Sequence, residues 1–370
     1  MAIALGGPGA VFWIWVLAIL GMCTKYCEVA LGIKYRRKND VGEWVGGPAY
    51  YLRGLGKKIG VVFGVGYAFF FMIELVPSLA SQGVSAAEQF NVFGANQTIT
   101  GIIIAVLVGV ILAGGFKRVS SVTDILVPVM ACLYVAGALV IIFANVGELP
   151  AVFSMIFQDA FTGHAAVGGF TGATIMAAIR WGAARGVYSN EAGVGSTIAG
   201  HCTAETDHPI RQAQFGIFEV FMDTIVICTI TSLAVLASGV WTQEGLSSGQ
   251  LALAAFQSVF GNFGAIFVAV TVFLFVFSTI ISAGFFGQIQ AEILFGRKFI
   301  CIACAFSNVT TMYMILDGFL GVVVILNMIG LVFMCKQVKD LQKEYYNTPG
   351  MYYLADKAAK EAKRAKKEAK

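Results

Sequence analysis

The sequence contains little charge for its length. Only 12% of its 370 residues are Asp, Glu, Lys or Arg, whereas 58% are hydrophobic. Soluble globular domains usually carry about 25% charged residues. So large a deficit excludes an ordinary water-soluble domain and indicates a protein that crosses a membrane several times. We therefore expect a lipid bilayer to surround most of the chain.

The sequence is also poor in the groups that enzymes use. It has three His residues, and no two of them stand at the spacing of a metal site. Ser189 and Ser196 lie near Glu191, but no base is placed for acyl transfer. No glycine-rich phosphate loop is present, which argues against direct use of ATP. We expect no enzyme activity, no cofactor and no nucleic-acid partner.

Long apolar runs are what the chain has in abundance. A helix needs roughly 17–25 predominantly apolar residues to cross a bilayer. Segments close to that length or longer lie near 10–33, 60–88, 99–116, 121–144, 163–181, 212–240, 262–295, 299–316 and 318–335. We therefore predict an all-α, polytopic membrane protein with about nine transmembrane helices.

The basic residues are distributed unevenly along these runs. With nine spans, every cluster of Lys and Arg falls on one side, whereas the loops near 90–98, 145–160 and 241–260 contain none. The positive-inside rule makes the basic side cytoplasmic. We predict a protein of the cell inner membrane, with its N-terminus outside and its C-terminus in the cytoplasm. Residues 1–337 would form the transmembrane domain, and residues 338–370 a basic cytoplasmic tail.

One apolar segment, 163–181, contains a glycine-rich interruption that reads Gly168-Gly169-Phe170-Thr171-Gly172. A membrane helix that unwinds must have its freed backbone groups satisfied by protein, water, an ion or a ligand. Broken helices of this kind form the substrate sites of many transporters. The alternative is close helix packing through small residues. The residues alone leave both interpretations open.

Some polar side chains lie deep within apolar segments. Glu74 and Asp223 are costly there, which suggests ion or proton coupling, although a hydrogen-bonded acid could equally join two helices. The adjacent hydroxyls of Ser278 and Thr279 could bind sodium, because a hard cation prefers oxygen ligands. Such hydroxyls also commonly bond back to their own helix. Gln82 offers a polar contact that a solute could use.

Several short runs follow one another in a familiar order. Two of them read Gly46-Gly47-Pro48-Ala49-Tyr50-Tyr51 and Ser189-Asn190-Glu191-Ala192-Gly193. The others lie at 4–10, 26–28, 117–118, 184–186, 206–209, 216–221 and 223–224. Together they resemble the alanine or glycine:cation symporter family, the sodium–alanine symporters, over most of the chain.

The resemblance implies a fold like that of the neurotransmitter:sodium symporters, with two inverted five-helix repeats and a site at mid-membrane. It implies sodium-coupled symport of a small neutral amino acid, alanine or glycine, into the cell by alternating access. Sodium would then be a co-transported ion. The interrupted segment would be core helix six, so that Gly168, Gly169, Phe170, Thr171 and Gly172 would bind the substrate.

The same resemblance implies roles for further residues. Ser278 and Thr279 stand where related transporters have a pair of sodium ligands, and Gln82 matches a polar residue of the third core helix. Ala283 stands where family members tend to have Trp, which would enlarge the substrate pocket. Asp223 and Glu74 leave the choice between sodium and proton coupling open.

The sequence departs from the family at its start. Family members carry an additional helix and a first core helix before the Gly6-Gly7-Pro8-Gly9 turn, where this sequence begins. We therefore expect an inverted-repeat fold that lacks its first core helix. An N-terminally truncated, transport-inactive membrane protein or a gene fragment is the alternative to a working symporter. A channel is a weaker third interpretation, because nothing resembles a selectivity filter.

Overall fold

The computed structural model describes residues 1–40, 42–89, 94, 96–162, 175–243, 246, 249–296, 309–349 and 351. Almost all of these residues are helical. The helices are α1 (Ala2–Gly6), α2 (Gly9–Tyr35), α3 (Pro48–Tyr51), α4 (Ile59–Gln89), α5 (Gln97–Ala113), α6 (Gly115–Ala144), α7 (Leu149–Thr162), α8 (Ile175–Asn190), α9 (Ile198–His201), α10 (Pro209–Val220), α11 (Thr229–Ala237), α12 (Gln250–Phe295) and α13 (Val309–Asn347).

Shorter elements connect some of these helices. Three-ten turns occupy Leu52–Leu55, Val146–Glu148 and Val240–Thr242, and a π-helical segment, Phe221–Cys228, joins α10 to α11. Two strands of two residues each, β1 (Arg37–Lys38) and β2 (Trp44–Val45), pair antiparallel after α2. The prediction of an all-α architecture holds apart from this small hairpin.

Six helices of the described residues are long and apolar enough to cross a membrane. They cover Gly9–Tyr35, Ile59–Val84, Arg118–Ala144, Pro209–Ala237, Gln250–Phe295 and Leu316–Asn347. Large apolar side chains lie exposed on them, such as Val62 at 69%, Phe143 at 70% and Phe333 at 75%. Extensive apolar exposure would be unfavourable in water, and it fits a surface that contacts lipid. The chain is a multi-pass membrane protein.

The predicted count of nine spans stays a prediction. Segment 99–116 corresponds to the shorter apolar helix Thr98–Ala113. Segment 163–181 lies partly, and segment 299–316 mostly, outside the described residues. The last helix, α13, continues through the expected domain boundary at 337–338 as far as Asn347.

Two of the predicted loops are wrong. The stretch 145–160 is mostly the helix α7, and 241–260 includes the start of α12, which kinks at Gly261 with φ +57°. In α7 the side chains of Phe153 and Phe157 are exposed, while Val152 and Ile156 are buried. This four-residue spacing is that of a helix with one apolar face packed inward. The absence of Lys and Arg does not determine the backbone conformation of these stretches, and their side of the membrane stays a prediction.

The centre of the fold is built on close contacts of α2 with α8 and α10, and of α4 with α12 and α13. Glycines allow α8 to approach α2. A Cβ added at Gly182 would lie 2.6 Å from the carbonyl oxygen of Ala10, whereas one at Gly186 would lie 3.4 Å from Leu17 Cβ. Gly182 and Gly186 form a G-x-x-x-G pattern, which brings two helix backbones together in membranes.

We expect Gly182→Ala to destabilise the protein and Gly186→Ala to leave it unchanged or slightly more stable. The first methyl group would force α8 away from Ala10, at a cost of about 1–3 kcal/mol. The second would make an ordinary contact and would gain helix propensity of about 0.5–1 kcal/mol. The thermal unfolding midpoints of the two variants in detergent should differ clearly; equal midpoints would contradict the close approach at Gly182.

Candidate functional site

A short break in the helical chain, residues 191–197, lies between α8 and α9. We call it the 191–197 loop. Glu191, Gly193 and Gly195 have positive φ angles of 52°, 93° and 81°. The α-helix cannot continue through such angles, and glycine adopts them without steric cost. Residues 192–196 are buried, so that the freed backbone groups of this loop must find partners within the protein.

Three helices supply partners for three of these groups. The Gly193 amide donates to Glu28 Oε1 of α2 at 3.0 Å, and the Gly193 carbonyl accepts from Asn327 Nδ2 of α13 at 2.9 Å. The Val194 carbonyl accepts from the Tyr67 hydroxyl of α4 at 2.7 Å. The loop is therefore held from several sides by side chains that are themselves fully buried.

Glu28 and Asn327 are also bonded to each other. Asn327 Nδ2 donates to Glu28 Oε1 at 2.5 Å, and the Tyr51 hydroxyl of α3 donates to Asn327 Oδ1. We call Glu28, Tyr51, Gly193 and Asn327 the clamp. Both Glu28 and Asn327 have 0% exposed surface. A buried network of this kind stabilises one arrangement of the helices and is costly when one member is missing.

A buried ammonium group lies one turn away from the clamp. Lys25 Nζ donates to Thr197 Oγ1 at 2.8 Å and lies 3.6 Å from Glu219 Oε1. The other oxygen of Glu219 is 2.7 Å from His201 Nε2. The side chain of Glu219 is 33% exposed. Lys25 thus ties the end of the 191–197 loop to α10.

Lys25 and Glu28 were not identified from the sequence as functional candidates. The available signal was a pair of opposite charges three residues apart inside the apolar segment 10–33. Charges within a membrane helix are expensive and so need a partner or a role. Their partners, however, come from distant parts of the chain, and no local pattern indicates those contacts.

Asp223 lies in the π-helical segment beside the end of α8. It accepts hydrogen bonds from Ser189 Oγ at 2.6 Å and from Thr224 Oγ1 at 2.9 Å. Asn190 Nδ2 donates to Thr224 Oγ1 at 3.1 Å. The geometry corresponds to an acid that joins two helices, one of the two interpretations that the sequence allows. Its part in ion or proton coupling stays a prediction.

A cavity of about 330 Å³ opens beside the 191–197 loop. Four sequence-predicted residues line it, namely Glu74, Gln82, Thr279 and Ala283. The sequence did not identify the rest of its wall, which consists of Phe71, Leu75, Ser78, Tyr188, Ser189, Glu191, Val194, Ser196, Phe286 and Leu320. The wall therefore combines polar and apolar side chains from α4, α8, the loop, α12 and α13. No Lys, Arg or His is among the described residues that line it.

The polar side chains of the cavity differ in the hydrogen bonds that they already make within the protein. Gln82 Nε2 donates to the Tyr188 hydroxyl at 3.2 Å, which fixes the orientation of the amide. Thr279 Oγ1 donates to the carbonyl of Phe275 at 2.9 Å. Because this bond uses the hydroxyl proton, the oxygen lone pairs of Thr279 remain available to a cation or a donor in the cavity.

Ser278 does not share this position. It is buried, donates to the Phe275 carbonyl at 2.8 Å and lies 3.9 Å from the sulfur of Met130, away from the cavity lining. The structure thus brings Thr279, but not Ser278, to the cavity. The predicted substrate residues Gly168, Gly169, Phe170, Thr171 and Gly172 lie outside the described residues.

Comparison with known proteins gives one consistent result. The model of the sodium:alanine symporter family matches residues 1–355. "Uncharacterized transporter YflA" of Bacillus subtilis is 44% identical to the chain, over 96% of the chain and 78% of YflA. The "Sodium/alanine symporter AgcS" of Methanococcus maripaludis is 37% identical, over 93% of the chain and 79% of AgcS. "Probable sodium/glutamine symporter GlnT" of Bacillus subtilis is 36% identical, over 93% of the chain and 73% of GlnT.

We expect Asn327→Ala to destabilise the protein strongly. It would leave the Gly193 carbonyl and the Tyr51 hydroxyl without partners, and each unpaired buried group costs about 1–3 kcal/mol. Tyr51→Phe removes a single donor and should cost less. The readout is the thermal unfolding midpoint in detergent.

The matched control for this series is Gln342→Ala, which lies on the same helix α13. Among the residues that the structure describes, it removes the 3.0 Å bond from Gln342 to the Tyr26 hydroxyl. The expected order of destabilisation is Asn327→Ala, then Tyr51→Phe, then Gln342→Ala. If Asn327→Ala were no more harmful than the control, the clamp would not be a stabilising element.

Proposed function

Because the chain belongs to the sodium:alanine symporter family, we propose that it carries a small neutral amino acid, alanine or glycine, into the cell together with sodium. The family and its named members indicate sodium-coupled amino-acid symport rather than an enzymatic reaction. Alternating access of one site to the two sides of the membrane would provide the mechanism. The identity of the amino acid is the open part of the proposal, since one relative is named for glutamine.

The polar cavity beside the 191–197 loop is the observation that supports this function. It holds about 330 Å³ and lies among helices apolar enough to span a bilayer. Its described lining contains carboxylates, hydroxyls and an amide but no cationic side chain, which disfavours a substrate of net negative charge. An amino acid without a charged side chain, accompanied by a cation, fits that electrostatic environment.

We assign a separate role to each of the residues near the cavity. Gln82 would contact the polar groups of the amino acid, and Ala283 would border its side chain. Thr279 would offer its oxygen lone pairs to sodium, with Ser278 holding the same turn of α12 through its bond to Phe275. The substrate carboxylate would lie near Gly168–Gly172, as the family resemblance suggests.

The proposal also includes the membrane arrangement expected from the sequence. The N-terminus would face outward and the C-terminus the cytoplasm, since the basic clusters would then lie on the cytoplasmic side. The helices would form two inverted repeats. Asp223 and Glu74 would be the acids concerned with coupling.

Uptake into proteoliposomes tests the function directly. With an inward sodium gradient we expect labelled alanine or glycine to accumulate, because sodium moving down the sodium gradient would carry the amino acid with it. Choline in place of sodium should abolish accumulation, and unlabelled glutamine should compete if the pocket accepts larger side chains. Uptake that is independent of sodium would overturn the coupling. No uptake of either labelled amino acid would favour the transport-inactive alternative.

We expect Ala283→Trp to discriminate against large substrates. The indole would fill part of the cavity, so that competition by glutamine should fall at least tenfold more than competition by alanine, the scale expected for steric exclusion from a pocket. The control is Val270→Trp on the same helix, where the side chain is 45% exposed and does not line the cavity. Equal loss of both competitors would place Ala283 outside the substrate pocket.

A further inference from the structure

The buried charges around the 191–197 loop do not balance. Electrostatic interactions connect five carboxylates in this region, and the cations that act on them most strongly are Lys25 and His201. The five are Glu28, Glu74, Glu191, Glu219 and Asp223. An excess of negative charge inside a membrane protein is unfavourable unless protons or cations offset it.

Four of these carboxylates have at least one hydrogen-bond donor from the protein. Glu28 and Asp223 are bonded as described above, Glu219 is paired with Lys25 and His201, and Glu191 accepts from Ser196 Oγ. Glu74 differs, because no donor for it is found among the described residues. Its side chain is only 5% exposed, yet it lines the cavity. A buried carboxylate that faces a cavity without a protein donor is stabilised there by a proton, water or a bound cation.

Glu191 lines the same cavity as Glu74, and the two negative charges repel each other. The hydroxyl groups of Ser78 and Ser196 share this part of the wall. Two carboxylates accompanied by hydroxyls make an all-oxygen environment, which suits a hard cation. Lys25 acts on Glu191, but it is already bonded to Thr197 and paired with Glu219, and it does not line the cavity.

We propose that Glu74 and Glu191 together bind a sodium ion in this cavity, in addition to the sodium expected at Thr279. The ion would relieve the repulsion between the two carboxylates and would connect α4 to the 191–197 loop. Its part in transport rests on the proposed sodium-coupled symport. Two sodium ions moving with a zwitterionic amino acid would carry two net charges through the membrane in each cycle.

Sodium binding without any amino acid provides the test. The purified protein in detergent is titrated with sodium chloride at constant ionic strength, with choline chloride as the replacement salt, and the thermal unfolding midpoint is followed. We expect sodium to stabilise the wild type. Glu74→Gln and Glu191→Gln should each raise the sodium concentration needed for half of the effect about tenfold or more, as loss of a charged ligand does.

In the double variant, the sodium concentration needed for half of the effect should rise about as much as in the more affected single variant. The two substitutions remove ligands of the same ion, so their effects on binding are not additive. Glu148→Gln is the matched control, since Glu148 is exposed and lies outside the cavity. Glutamine keeps the size of glutamate and removes a buried charge, so folding of the variants is expected. If both cavity variants kept the wild-type sodium response, or if the wild type showed none, the inference would be overturned.

A second comparison separates this inference from the proposed function. Thr279→Val should alter the response to sodium independently of Glu74→Gln if two sites exist. Should Thr279→Val have no effect while Glu74→Gln does, the site at Glu74 stands and the assignment of sodium to Thr279 falls. Should uptake fail in proteoliposomes while the sodium shift persists, the binding site stands and the symport proposal falls.

Discussion

The rest of the structure depends on one constraint, that backbone polar groups freed by a broken helix cannot be left unpaired in an apolar interior. The 191–197 loop breaks the helical chain where residues 192–196 are buried. Three of its backbone groups, the amide and carbonyl of Gly193 and the carbonyl of Val194, are paired with side chains of α2, α4 and α13, which must therefore approach from different sides. The positions of these helices relative to one another follow from this requirement.

The same constraint explains why charged residues occur at such depth. Glu28 can accept from both the loop amide and Asn327 because a carboxylate offers several lone pairs. Lys25 then offsets part of that negative charge and holds the far end of the loop through Thr197. Once several carboxylates converge on one loop, the electrostatic environment of the neighbouring cavity is set, and a cavity of this kind favours cations over anions.

The sequence predicts the helical spans well, and the contacts between them poorly. Apolar runs such as 60–88 and 121–144 correspond to α4 and α6, because the bilayer demands length and apolarity in one continuous stretch. The helix α7 was missed, although its pattern of Phe153 and Phe157 against Val152 and Ile156 is periodic and could have revealed it.

In the candidate site, too, the sequence predicts single residues better than the contacts between them. Glu74, Gln82, Thr279 and Ala283 meet at one cavity, although they come from only two helices and were chosen for different reasons. The clamp could not be predicted, because Glu28 and Asn327 are 299 residues apart. Glu28, Tyr51 and Gly193 lie in short runs that resemble the family, but those runs do not indicate which residues pair with one another. Long-range pairing of buried polar groups depends on how the helices pack against one another. No periodic pattern in the sequence indicates which helices are neighbours.

The π-helical segment Phe221–Cys228 determines how the side chains of α11 are rotated about the helix axis relative to those of α10. The two helices belong to one candidate membrane span, Pro209–Ala237. Each α-helical residue turns the chain by about 100°, and a π turn accommodates one extra residue relative to the α-helix. Glu219 before the segment faces Lys25 of α2, while Thr231 after it bonds Tyr134 of α6. One extra residue changes the direction of every side chain after the segment by about 100° relative to a straight α-helix of the same sequence. The number of residues in this stretch is therefore as constrained as their identity.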